Sequence, residues 1–97
     1  MNMQAMLKQA QALQKDMLKA KEEVDSAEFE GESSLVKVTL KGTKEVVKVE
    51  INAESLDKDD IEALQDMIVV AMNDANKKID SMTEEKMGKF SSIPGLF

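Results

Sequence analysis

These 97 residues contain no cysteine, histidine, arginine, tryptophan or tyrosine. Lacking cysteine, the chain has neither disulfides nor thiolate metal ligands. Lacking histidine too, it is without the commonest general bases and nucleophiles. All thirteen basic residues are lysine, so the planar arginine fork that reads guanine in the major groove is missing. Phe29, Phe90 and Phe97 are the whole aromatic complement, too few for a stacking platform for single strands. Proline occurs once, at Pro94, and the four glycines stand singly, which excludes a glycine-rich phosphate loop. No apolar run approaches the roughly 20 residues that span a bilayer. The opening MNMQAMLKQAQ has neither the basic start nor the apolar core of a secretory signal. The expectation is a soluble cytoplasmic protein.

What remains is largely carboxylate, lysine and aliphatic. Charged residues make up 33% and hydrophobic residues 42%, the composition of one small globular domain. The acidic run DKDD (Asp57–Asp60) lacks the glycine and spaced glutamate of a calcium-binding loop. Ser33, Ser34, Ser55, Ser81, Ser91 and Ser92 sit in no triad-like setting. The residues therefore point to a binding protein: no enzyme, no cofactor, no metal site and no small-molecule substrate.

The net charge is −6, but it is unevenly placed. Residues 1–21 carry four lysines against Asp16, a local charge of +3. Residues 35–53 carry four lysines against two glutamates, a local charge of +2. Acid concentrates in 25–34, with four acids and no base, and in 54–66, with six acids and one lysine. Because a binding patch is decided locally, the acidic total does not exclude an anionic partner.

In the first segment Met3, Met6, Ala10, Leu13, Met17, Ala20 and Val24 recur at alternating steps of three and four, a heptad stripe. Glycine and proline are absent from residues 1–30, so a helix of about 34 Å is predicted. A second molecule is its natural cover. The period then falls to two. Val36, Val38 and Leu40 share one face, then Val47, Val49 and Ile51 share one, with KGTK (Lys41–Lys44) between them as a hairpin connection. AEFEGES adds a weaker third, edge strand, with Gly31 allowing a bulge or bend. One apolar and one polar face predict a sheet covered on one side.

Helical period returns at Asp57, a good N-cap, with Asp59, Asp60 and Glu62 placed where the helix dipole favours anions. Ile61, Leu64, Ile68, Ala71 and Ala75 renew the stripe, and MIVVAM (Met67–Met72) is apolar nearly all round, which predicts burial on several sides. The stripe then slips from Lys78 to Ile79 and Met82. That slip reads either as a stutter or as a break, with Ser81 and Glu84 capping a separate short helix. Gly88 and Pro94 end helical structure. The fold class is α+β: a long N-terminal helix, a three-stranded antiparallel meander and a long C-terminal helix open to a break near Ser81.

With Met3 at heptad position a, Lys8 and Lys15 both fall opposite the seam, about 10 Å apart by helical rise, and Lys19 follows one turn on. Lys77, Lys78, Lys86 and Lys89 form a second basic stretch, diluted by Asp80, Glu84 and Glu85. Either set reads as a solvated helix face or as phosphate contacts, which a dimer would double. The eight methionines suggest a groove for partner helices, but at seam spacing they read first as core filler.

Larger stretches carry a resemblance. LVKVTLKGTKEVVKVEI (Leu35–Ile51), LDKDDIEALQDMIVVAMNDANKKI (Leu56–Ile79) with its Asn73-Asp74-Ala75 run, and the ending MGKF…IPGLF resemble the YbaB/EbfC family of bacterial nucleoid-associated proteins. The resemblance spans nearly the whole chain. It implies residues 1–90 as a single domain, followed by a short tail, 91–97. It also implies a tweezer-like homodimer with joined sheets, binding duplex DNA in the cytoplasm at the nucleoid, with no enzyme activity and no cofactor. The family places DNA contacts on its helical arms without a strict motif, so Lys8, Lys15, Lys19, Lys77, Lys78, Lys86 and Lys89 are nominated by position and charge. GESS (Gly31–Ser34) departs from the glycine-rich stretch expected there.

The reading is a non-enzymatic, homodimeric duplex-DNA-binding protein of low sequence specificity, architectural or regulatory in role. The alternative is a protein-interaction adaptor whose apolar seams and tail hold partner chains, and protein partners stay open in either case. Ile93, Leu96 and Phe97 are expected either to fold back over open apolar surface or to stay loose, Gly88, Pro94 and Gly95 permitting the reversal. A membrane anchor is the weakest option for so few apolar side chains.

Overall fold

A computed structural model describes residues 2–90; Pro94 and the apolar tail residues lie outside that range. Helix α1 (Met3–Ser26) leads into strands β1 (Glu28–Ser33), β2 (Val36–Lys41) and β3 (Val46–Ile51). Helix α2 (Asp60–Met87) follows and passes into a short 3-10 turn, Gly88–Phe90. The strands form an antiparallel meander in the order β1-β2-β3. The molecule is long and thin, 71 × 19 × 14 Å. Its radius of gyration is 19.6 Å, against about 12.5 Å for a compact chain of this length.

The core lies between β2 and α2. Val36, Val38 and Leu40 alternate inward and meet Ala71, Ala75 and Ile79, one face of α2. Phe29, Leu64, Met67, Ile68 and Met72 close its margins. Gly31 makes no bulge. It is a close-approach site, where a Cβ would stand 2.0 Å from the Ala71 carbonyl oxygen and 2.5 Å from the Ala75 nitrogen. The small residues of α2 and the bare glycine of β1 let helix and sheet touch backbone to backbone. Gly42 plays the same part at the other joint, where a Cβ would meet the Val24 carbonyl oxygen at 1.8 Å. The register irregularity falls instead between β2 and β3, at Thr39/Leu40, so that Leu40 is opposed by Val46.

Several expectations change. Helix α2 begins at Asp60, with Asp59 as its N-cap making no side-chain capping bond. Asp57 lies in a preceding turn, where its N–H donates to the Asp60 carboxylate at 2.9 Å. No break occurs near Ser81. Residues 60–87 contain neither glycine nor proline, and α2 runs through unbroken. Val69 and Val70 are exposed, because α2 meets the sheet along one face only. On α1 the stripe is buried at Val24, half-buried at Ala20, Met17 and Leu13, and exposed from Ala10 back to Met3. Every residue of β3 is exposed as well.

Candidate nucleic-acid interface

The geometry of the lysines follows from where α2 stops. A groove lined by Asp16, Lys19, Ala20 and Glu23 of α1 and by Glu85, Lys86 and Lys89 brings the end of α2 alongside the middle of α1. Lys86 crosses the joint with an ion pair to Glu23 at 3.3 Å. Residues 2–12 extend past this joint and all are exposed. By helical rise the stretch of α1 from Met3 to the joint at Asp16 forms an arm of roughly 20 Å.

The seven nominated lysines divide into two groups. Lys8, Lys15, Lys19 and Lys77 are exposed and make no ion pair or side-chain hydrogen bond with the described residues. Lys78, Lys86 and Lys89 are already engaged. The Lys78 ammonium donates to the Glu30 carbonyl at 2.7 Å and lies 3.6 Å from Asp74. Asp74 in turn accepts from the Glu32 N–H at 3.1 Å. Together Asp74 and Lys78 satisfy backbone groups on the outer edge of β1, a fastening that charge counting alone does not reveal. Lys89 lies over the Phe90 ring, 5.1 Å from its centroid. Only Lys19, Lys86 and Lys89 are drawn together, and Asp16, Glu23 and Glu85 balance them. Lys8 and Lys15 stand on the arm, and Lys77 stands apart from both. Lys58, not nominated from the sequence, is also unpaired, but it sits among Asp57, Asp59 and Asp60.

The lysines on the outer face of the sheet are paired with carboxylates of the same face. Lys37 lies 3.2 Å from Glu30 and 3.8 Å from Glu32, and Lys48 lies 2.6 Å from Glu50. A hydrogen bond with Glu30 and its negative charge hold the Lys37 ammonium above its ordinary pKa. Lys48 is raised in the same way by Glu50, and the Glu50 carboxyl is lowered by Lys48. These lysines are neutralised in place.

Acid and base are therefore separated along the molecule. The acidic start of α2 and the lysines of the arm lie toward opposite ends of a body 71 Å long. Salt screens charges over about 10 Å at moderate ionic strength, so the net charge of −6 does not set the potential at the arm.

The description of the YbaB/EbfC DNA-binding family matches residues 1–93. The chain belongs to the YbaB/EbfC DNA-binding family. A nucleoid-associated protein of Ligilactobacillus salivarius (strain UCC118) is 46% identical over 99% of this chain and 95% of that one. A second, from Pelotomaculum thermopropionicum, is 44% identical over 99% and 96%. A third, from Lactococcus lactis subsp. cremoris (strain MG1363), is 45% identical over 94% of each chain. In fold, this YbaB/EbfC chain is similar to the crystal structure of an uncharacterized protein from Helicobacter pylori. That likeness has a TM-score of 0.74 and 20% identity, covering 95% of this chain and 99% of the other.

Proposed function

We propose that this chain is a non-enzymatic homodimer that binds duplex DNA at the nucleoid with little sequence specificity, in an architectural or regulatory role. The observation that carries the reading is α1, whose arm presents Lys8 and Lys15, with Lys19 at its root, all exposed and making no ion pair with the described residues. Ammonium groups neutralise phosphates and read no base edges, which is the chemistry of low specificity. The names of the relatives, nucleoid-associated proteins, support the location. Lys77 joins the arm lysines as a contact, while Lys78, Lys86 and Lys89 take a supporting part. Residues 1–90 act as one domain, with 91–97 as a tail.

The exposed apolar face of β3 supports the dimer. Val46, Val49 and Ile51 lie opposite buried residues of β2 yet face open space, and a second copy would cover them. Two copies also double the lysines, so that weak phosphate contacts act together.

The test is fluorescence anisotropy of a labelled duplex of about 30 base pairs, nearly three helical turns, titrated at several salt concentrations. Binding should tighten steeply as salt falls, and Lys8/Lys15/Lys19→Glu should weaken it about 100-fold or more while leaving the fold intact. Salt-independent binding, or full affinity in the folded triple variant, would defeat the reading. An apolar adaptor surface would give that salt-independent result.

A further inference from the structure

The tip of the arm carries an apolar patch that phosphate binding does not explain. Met3 is 83% exposed, Leu7 61% and Met6 49%. The shallow hollow they form is lined by Met3, Gln4, Met6 and Leu7, all from the first turns of α1. The stripe that buries Val24 at the far end of α1 continues here without cover from the described residues. Lys8 follows directly and Lys15 stands one heptad further, both unpaired.

Charge distinguishes the candidate occupants. Lys8 is the one charged side chain of residues 2–12, so the tip of a second copy would bring like charge to the contact. A duplex brings phosphates to the lysines and, between its base pairs, an apolar interior. Methionine and leucine side chains enter such a step from the minor groove when neighbouring contacts compensate for unstacking it. Methionine, unbranched and polarisable, fits an irregular gap of that kind. Resting on the DNA-binding reading above, we propose that Met3 and Leu7 form a wedge. It enters a base-pair step from the minor groove and bends the duplex, while Lys8 and Lys15 hold adjacent phosphates. Deformable pyrimidine–purine steps are then preferred without any base edge being read.

The experiment uses the full chain and a duplex of about 30 base pairs with a central TA step, carrying donor and acceptor dyes at its two ends. Wild-type protein at saturation should raise energy transfer between the ends. Met3→Gln combined with Leu7→Gln keeps good helix formers on an exposed face. This variant should lose the increase in transfer while still binding the duplex with its salt slope retained. An unchanged rise in transfer with the double variant overturns the wedge, as does a wild-type complex that saturates without any rise. A lower melting temperature or a changed sedimentation mass in the double variant would show the patch to be covered by its own chain or a second copy, and also overturns it. Failure of wild-type protein to bind at low salt would overturn the DNA-binding reading itself, a result separate from binding without bending.

Discussion

Strands β2 and β3 are neighbours with the same alternation of valine and charge, yet they occupy opposite environments. Val38 and Val49 are directly paired across the sheet, and Val38 is fully buried while Val49 is 46% exposed. The difference does not lie in the strands. Helix α2 is one helix wide and lies over β1 and β2, fastened there by Gly31, Asp74 and Lys78. Alternation records which face a strand offers for burial, and what buries it is decided elsewhere in the chain or outside it.

The largest expected effect comes from removing the cause of the asymmetry. Gly31→Val places a branched side chain where a Cβ already collides with α2 backbone. Strand propensity alone would favour valine. Overpacking should nonetheless destabilise by about 3 kcal/mol or leave no cooperative fold, read by urea denaturation. A Gly31→Val variant as stable as wild type would show that α2 is free to shift off β1.

Next comes the valine pair itself. Val38→Ala removes two buried methyl groups and should cost about 2 kcal/mol at any protein concentration. Val49→Ala should cost less than about 0.5 kcal/mol in dilute protein and should weaken self-association at higher concentration. Denaturation across a dilution series checks both. Equal costs at all concentrations would mean that β3 is covered within one chain.

The smallest effect lies on the outer face, where the two strands are alike. Glu50 is held below the ordinary carboxylate range by Lys48. A lowered folded-state pKa gives a contribution that is present at neutral pH and lost as pH falls through the folded value. Glu50→Gln should therefore lower the melting temperature slightly at neutral pH and not at all once carboxylates are protonated. Added salt should shrink the difference further, since the pair is exposed. A difference that persists in acid would point to the Glu50 side chain's packing instead of its charge.

The helices, the meander and their order were legible because each rests on local period. Val36, Val38 and Leu40 follow the alternation predicted for them, and Ala71, Ala75 and Ile79 hold the buried stripe through the slip after Lys78. Boundaries and joints were less legible. Asp57 has the chemistry of an N-cap, but it is the Asp60 side chain that closes the turn before the helix. Gly31 advertised a bend and served instead as a contact surface, since a glycine's tolerance of close backbone is invisible without the partner helix. For the candidate interface, charge and heptad position found Lys8, Lys15 and Lys19 on an open face. They could not separate these from Lys78, whose partners Glu30 and Asp74 come from two different elements. Met3 and Met6 read as seam residues because a stripe carries no sign of where its covering helix ends.

One consequence of the unbroken α2 is mechanical. With no glycine or proline between residues 60 and 87, the helix has no built-in hinge. Residues 64–79 seat on the sheet, and the last turns, where Lys86 pairs with Glu23, carry the root of the arm. It is a lever whose fulcrum is the contact of Ala71 and Ala75 with Gly31. A tilt too small to open that contact is magnified along the rod, so the aim of the arm is set where two alanines meet a glycine.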